Sequence, residues 1–171
     1  MSNLSQNFWE FSLDLYSSTE ISTACLDLQN KYGVDVNLLL LCCWSGTCVG
    51  ELSEDSLSKA LNYSKQWREQ VVSPLRQTRR WMKSNMPADQ NQQISFHEVR
   101  DEIKAVELRA EKHQQSVLEQ IVMSQSNSGA GLSPEKAIRE NVFKLLKQMK
   151  VAEDSELRAT LSLVINAAVA N

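Results

Sequence analysis

The sequence is poor in the residues that interrupt regular structure. Its 171 residues include five glycines and three prolines, fewer than the usual frequencies of about 7% and 5% would supply. An all-β fold needs many turns, and turns draw heavily on these two residues. Hydrophobic residues make up 42% and charged residues 23%, which is a globular composition and not a disordered one. We therefore predict an all-α fold.

The sequence also lacks a hydrophobic run long enough to cross a membrane. The longest run, Leu38 to Trp44, has seven residues, whereas a spanning helix needs about 20. A cationic and apolar leader of the secretory type is missing at the N-terminus as well. We therefore expect a cytoplasmic protein with no membrane partner.

Four cysteines occur, namely Cys25, Cys42, Cys43 and Cys48. A cytosolic compartment disfavours stable disulfides. Their spacing contains no Cys-x-x-Cys pair of the kind that binds zinc, and neither histidine is near them in the sequence. We therefore expect these cysteines to act as small apolar core residues.

Apolar spacing predicts a bundle of about five helices followed by a C-terminal helical hairpin. The third helix, which should begin near Asp35 or Val36 and end near Gly46 or Gly50, is apolar almost all round and should occupy the centre of the bundle. Pro74 predicts a kink, or a stop near Val72 and a restart with Ser73 as the cap. A Ser/Asn/Gly-rich stretch then separates two parts. The predicted domains are a bundle at 1–123, a flexible linker at 124–133 and a hairpin at 134–171.

The fifth helix has the strongest start signal and a nearly heptad apolar stripe. Ser95 and Glu98 form a Ser-x-x-Glu capping box, which predicts that the helix begins there. The predicted inward stripe is Val99, Ile103, Val106, Ala110, His113, Val117 and Ile121. A stripe of this period predicts packing along the length of another helix.

Several short motifs follow one another in the first half of the chain. They are FWEFSL at Phe8, ACLDLQ at Ala24, YGVDVNLLL at Tyr32, the single Trp44, and WRxxVVxPLRxxRR at Trp67. In this order they resemble an uncharacterised family of small proteobacterial proteins described only as a domain of unknown function. The resemblance covers about residues 8–120. It implies a small helical bacterial protein and carries no activity, cofactor or site.

Charge is distributed very unevenly along the chain. Residues 1–55 carry a net charge of −7 and residues 56–90 a net charge of +5. The candidate binding residues in the basic segment are Arg68, Arg76, Arg79 and Arg80, with Trp67 and Trp81 on either side of them. Arginine pairs bidentately with carboxylates and phosphates and stacks on indole rings. The segment could therefore bind an acidic surface of another protein, bind a phosphate or nucleic acid, or pair internally with the acidic helices.

A second candidate cluster lies at the start of the apolar third helix. Asp35 is placed to cap that helix, and Asn37 would need a partner if it were buried. A contact from Arg68 or Arg76 to Asp35 would form either a structural clasp or the polar end of a ligand pocket. Trp44 and Trp67 would wall such a pocket.

Motifs of the common enzymes are missing. The sequence has no phosphate-binding glycine loop, no dinucleotide fingerprint and no HExxH, and it lacks the aspartate-rich motifs that hold magnesium diphosphates. We predict no catalytic residues, no metal and no cofactor.

The basic segment with its tryptophans, together with the missing enzyme motifs, favours a non-enzymatic interaction or regulatory module. A small-molecule or phosphate-binding protein or enzyme is the alternative. Nucleic-acid binding comes third because the net charge of −3 argues against it.

Overall fold

The computed structural model describes residues 6–124 and 131–171, and every regular element within them is helical. The all-α prediction is therefore confirmed. In chain order the elements are α1 (Phe8–Tyr16), α2 (Thr19–Tyr32), α3 (Val36–Cys48), α4 (Glu54–Trp67), a π-helical segment (Arg68–Val72), α5 (Ser73–Ser84), α6 (Gln90–Met123), α7 (Pro134–Met149) and α8 (Ser155–Ala170). If α4, the π segment and α5 are counted as one interrupted helix, the described residues hold five helices before the predicted linker and two after it. A helical bundle fits this arrangement, and none of the described helices is both long and apolar enough to cross a membrane.

The ends of the first three helices follow from short polar side chains and one glycine. Asn7 caps α1 and forms a capping box with Glu10. Gly33 ends α2 with a φ of 67°, a left-handed conformation that glycine adopts without steric cost. Asp35 caps α3, and its carboxylate accepts the amides of Asn37 and Leu38.

The predicted start of the long helix at Ser95 is wrong. Helix α6 begins five residues earlier, at Gln90. The Asp89 carboxylate accepts the amide of Asn91 at 2.8 Å, as expected of a residue that starts a helix. Ser95 lies inside the helix, where its hydroxyl donates to the Gln92 carbonyl.

Pro74 neither stops nor restarts the helix. The chain stays helical through Ser73, which has φ −64° and ψ −42° and therefore does not act as an N-cap. The Ser73 amide donates to the carbonyl of Arg68, five residues earlier, which is π-helical spacing. The missing N–H of Pro74 consequently falls in the first turn after the π segment, where its loss costs little.

Two compact units make up the chain, unit 1 with residues 1–62 and 115–171 and unit 2 with residues 63–114. The boundaries fall inside α4 and α6, and α7 and α8 belong to the same unit as α1, α2 and α3. The predicted domains at 1–123 and 134–171 stay a prediction. Most of the predicted linker, residues 125–130, lies outside the described residues.

Helix α3 is the central element of unit 1. Ten of its side chains are buried, from Val36 through Gly46 with the exception of Asn37. Three cysteines, Cys25, Cys42 and Cys43, are buried as free thiols. Burial raises the pKa of Cys25 to about 11 and raises that of Cys43 as well. They are therefore neutral apolar core residues, as the sequence predicts.

The approach of α7 to α3 is set by Gly46. An added Cβ at this position would lie 2.4 Å from the side chain of Ile138 and 2.7 Å from its backbone nitrogen. Both distances are far inside van der Waals contact, and the backbone of α7 cannot move aside as a flexible side chain could. Only glycine therefore permits the two helices to pack this closely.

Asn141 of α7 ties α3 to the chain that follows it. Its side chain has no exposure. The Leu52 amide donates to its Oδ1 at 2.7 Å, and its Nδ2 donates to the carbonyls of Cys42 at 3.3 Å and Gly50 at 3.1 Å. The Leu52 amide and the Gly50 carbonyl lie after the end of α3 and would otherwise lack partners, whereas the Cys42 carbonyl lies within α3 and gains a second hydrogen bond.

The remaining helix of unit 1, α8, is held at its start by side chains from the end of α2. The Tyr32 hydroxyl donates to the Asp154 carboxylate at 3.0 Å, and Lys31 pairs with Glu156. Further along, Leu157, Leu161 and Val164 of α8 are buried. The hairpin of α7 and α8 thus contributes to the same apolar core as α3.

We expect Gly46→Ala to lower the free energy of unfolding by about 3 kcal/mol, the upper end for overpacking a close-packed site. Urea unfolding of the full chain measures it. Thr47→Ala, at the next residue of α3, is the control and should cost no more than about 1 kcal/mol. Equal stability of the Gly46→Ala variant and the wild type would contradict the close contact with α7.

We expect Asn141→Leu to lower the free energy of unfolding by about 3 kcal/mol, because it leaves the buried Leu52 amide and the Gly50 carbonyl without partners. Hydrogen exchange at the Leu52 amide should become faster at the same time. Asn166→Leu, on the exposed side of α8, is the matched control. Wild-type protection of Leu52 in the Asn141→Leu variant would contradict the assigned hydrogen bond.

Candidate interaction surface

Unit 2 concentrates the positive charge of the chain. Residues 63–114 contain ten lysines and arginines and seven aspartates and glutamates, a net charge of +3, while the rest of the chain carries −6. The unit consists of the end of α4, the π segment, α5 and most of α6. Most of the predicted basic binding residues therefore lie together in one unit.

Two of these arginines are held by α6. The Arg76 Nε donates to Glu107 at 3.0 Å and its Nη2 donates to Glu111 at 2.5 Å. The Arg79 Nε donates to the other oxygen of Glu107 at 2.5 Å. The Glu107 side chain is only 8% exposed and the two guanidinium groups are 25% exposed. Part of the basic segment is thus neutralised inside unit 2, by carboxylates of α6.

The two glutamates respond to this environment in opposite directions. Burial alone would raise the pKa of Glu107, but the hydrogen bonds from Arg79 and Arg76 outweigh it and lower the pKa below its ordinary value. Burial raises the pKa of Glu111, and the nearby Arg76 only partly offsets it. Glu107 is therefore the anion on which this cluster depends.

Trp67 packs between α4 and α6 within the same unit. Its Nε1 donates to the carbonyl of Ala110 at 3.0 Å. Its ring lies 4.8 Å from the ring of His113 and stacks on Tyr63 at 6.3 Å. His113 is exposed apart from this contact, so its predicted place on the inward face of the helix is wrong.

Arg80, Trp81 and Lys83 form the exposed part of the basic segment, which we call the α5 surface. The Trp81 side chain is 62% exposed, and both cationic side chains are exposed as well. Neither Arg80 nor Lys83 forms an ion pair within the described residues. Of the predicted binding residues, Arg80 and Trp81 are therefore the two most accessible to a partner.

Arg68 stands apart from the other arginines. It lies in the π segment and is half-buried. Its predicted pairing with Asp35 stays a prediction.

The second predicted cluster has structural roles in unit 1. Asp35 is buried and caps α3. Asn37 accepts a hydrogen bond from Gln115 at 2.8 Å. Trp44 has no exposure, its Nε1 donates to the carbonyl of Gln6, and its ring lies 5.7 Å from that of Phe8. This packing favours a structural role over an open ligand pocket.

Sequence reasoning missed Glu107 and Glu111. Each looks like an ordinary surface glutamate, because no local motif marks it. A signal does exist in the spacing: Arg76 and Arg79 lie three residues apart on α5, and the two glutamates lie four apart on α6. This spacing predicts the ion pairs only when the register of the two helices is known.

The family model of a protein of unknown function, DUF2390, matches residues 7–118. The chain belongs to this family. The match covers α1 to α5 and most of α6, and α7 and α8 lie beyond it. No curated protein and no solved structure matches the chain. Among the described residues, no group of three or more histidine, cysteine, aspartate or glutamate side chains could hold a metal ion.

We expect Glu107→Gln to lower the free energy of unfolding at pH 7 by about 2 kcal/mol, since it removes a buried anion between two half-buried arginine side chains. The pKa of Glu107 is lower in the folded chain than its usual 4.5, so this stability is present above about pH 4.5 and is lost as the pH falls through the folded pKa. The difference between variant and wild type should therefore shrink on acidification.

Urea unfolding followed by tryptophan fluorescence from pH 7 to pH 3 measures this dependence. Glu98→Gln, an exposed position on the same helix, is the control and should match the wild type at every pH. A difference that stays constant down to the lowest pH would show that Glu107 acts by packing and not by charge.

Proposed function

We propose that this chain is a non-enzymatic, cytosolic protein-interaction or regulatory module that binds an acidic surface of another protein. The binding residues are those of the α5 surface, Arg80, Trp81 and Lys83, with Arg76 and Arg79 behind them. We also propose that the protein is bacterial, as its resemblance to the proteobacterial family implies.

The observation that carries the proposal is the exposure of Trp81. An indole that is 62% exposed leaves a large apolar area in water, and tryptophan and arginine are the residues most enriched at the energetic centres of interfaces. Two cations that form no ion pair within the described residues stand beside it. This combination of an aromatic ring and cations fits a partner that offers carboxylates around an apolar patch.

The pairing of Arg76 and Arg79 supports a protein partner over a phosphate ligand. Their guanidinium groups are occupied by Glu107 and Glu111, which would repel a phosphate. The net charge of −6 outside unit 2 likewise opposes nucleic acid. Four free cysteines suit a reducing compartment such as the cytosol.

The test compares partners captured by the tagged full chain from its own host. The variants are Arg80→Glu and Trp81→Ala, and Lys104→Glu is the matched control because it is exposed, lies in the same unit and makes the same charge change. We expect both α5 variants to lose about tenfold or more of one partner protein, which the control retains.

The captured partner is then purified and titrated against the wild type by calorimetry at low and high salt. Binding should weaken as the salt concentration rises, because salt screens the attraction between the exposed cations Arg80 and Lys83 and the carboxylates of the partner. A partner list that is the same for the wild type and both α5 variants would refute the proposal. Capture of nucleic acid alone would refute it in favour of the third alternative.

A further inference from the structure

Helix α6 carries a complete heptad stripe through unit 2. Counted as in a coiled coil, the d positions are Val99, Val106 and His113, and the a positions are Phe96, Ile103, Ala110 and Val117. Six of these seven residues are apolar. A stripe of this length is typical of a helix that packs against a partner helix along its whole seam.

The chain's own helices use a neighbouring edge of α6. Glu107 and Gln114, both at e positions, are the side chains that bond to α5 and α4, through Arg76, Arg79 and Ser64. Two of the d positions, Val99 and Val106, are left outside this seam, whereas the third, His113, packs on Trp67 of α4. Val99 is 49% exposed and Val106 is 38% exposed, while the a position Ile103 is half-buried. The part of the heptad stripe at Val99 and Val106 thus remains open to solvent.

We propose that the exposed stripe of α6 binds the same stripe of a second copy of this chain, with the two helices antiparallel and a two-fold axis beside Val106. Val106 then packs against its own counterpart, and Val99 of each copy packs near His113 of the other. A two-fold arrangement of this kind is self-complementary and closes after two copies.

Charges beside the stripe select the second copy as the partner. The g positions next to the d stripe are Glu102 and Arg109, both exposed, and neither forms an ion pair within the described residues. In an antiparallel coiled coil, g positions face g positions. Glu102 of one copy therefore meets Arg109 of the other, and symmetry makes this pair twice.

The parallel arrangement is disfavoured by the same charges. It would bring a g position of one copy close to the following e position of the other. The e position opposite Glu102 would be Glu107, which is buried against Arg76 and Arg79 of α5, so Glu102 would gain no cationic partner there. The sequence around the stripe is thus suited to a second copy in one orientation.

Sedimentation equilibrium of the full chain tests the proposal. We expect the wild type to dimerise at concentrations up to about 0.1 mM, where even a weak pair with a micromolar Kd is populated. Glu102→Arg and Arg109→Glu each create two like-charge contacts, and each should raise the dimer Kd about tenfold. The double variant, which swaps the charges, should return the Kd to within about threefold of the wild type.

The control is Asp101→Arg, a charge reversal at the adjacent residue, which faces away from the stripe and should leave the Kd unchanged. Since all of these positions are exposed, circular dichroism should show the same helicity in every variant. A wild type that stays monomeric at about 0.1 mM, or a double variant that is no better than the single ones, would overturn the proposal.

Cysteine cross-linking tests the orientation. With Cys48→Ser as the background, Val106→Cys should form a disulfide-linked dimer on mild oxidation, because the axis places the two thiols opposite each other. Leu108, which is more exposed than Val106 (53% against 38%), lies outside the stripe, so Leu108→Cys should not cross-link at a comparable rate. Val99→Cys should cross-link poorly, because the antiparallel pairing separates its two copies by about 21 Å along the helix, whereas a parallel pairing would place them opposite each other. Cross-linking of Val99→Cys as fast as that of Val106→Cys would refute the antiparallel pairing, and equally fast cross-linking of Leu108→Cys would refute the stripe as the interface.

This dimer and the proposed partner surface can fail separately. Arg80→Glu and Trp81→Ala alter α5 and should leave the dimer Kd unchanged, while Glu102→Arg should leave capture of the acidic partner unchanged. A monomeric chain that still captures its partner would overturn only the dimer.

Discussion

The close approach of α3 and α7 is the constraint on which unit 1 depends. Helix α3 is apolar on nearly every side, so it is stable only when neighbours cover it all round. Gly46 lets the backbone of α7 come close enough to do so. Asn141 then supplies the hydrogen bonds that the backbone of the loop after α3 would otherwise lack. Helix α7 thus provides both the apolar packing and the hydrogen-bond partners at this end of α3.

The contact between α3 and α7 joins the region of the family match to the helices that lie beyond it. It ends at residue 118, before α7 begins, yet the Gly46 that accommodates α7 lies inside it. The matched region alone would leave one side of its most apolar helix uncovered. The helices beyond the match are therefore part of the core of this chain and not an appendage to it.

Unit 2 buries fewer apolar side chains, Val72, Met82 and Ala110 among them, and its helices are also joined by charged and polar groups. Glu107 neutralises two arginines at once, which holds α5 to α6 and removes those cations from the surface. The side chains left exposed are Arg80, Trp81 and Lys83 on α5 and the d stripe on α6. A seam built of ion pairs thereby leaves apolar side chains on the outside, and these two faces are the ones on which we base a partner surface and a dimer.

The sequence by itself determined the all-α class, the burial of α3 and of three of the four cysteines, and the helix ends at Gly33 and Asp35, because composition and capping act over a few residues. It misplaced the start of α6, where Asp89 competes with a more familiar motif at Ser95. It also showed that α6 has a heptad stripe without showing which edge of it the chain would use. Only the tertiary structure decided that edge, and with it the pairing of Arg76 and Arg79, because the register between two helices depends on contacts distant in sequence.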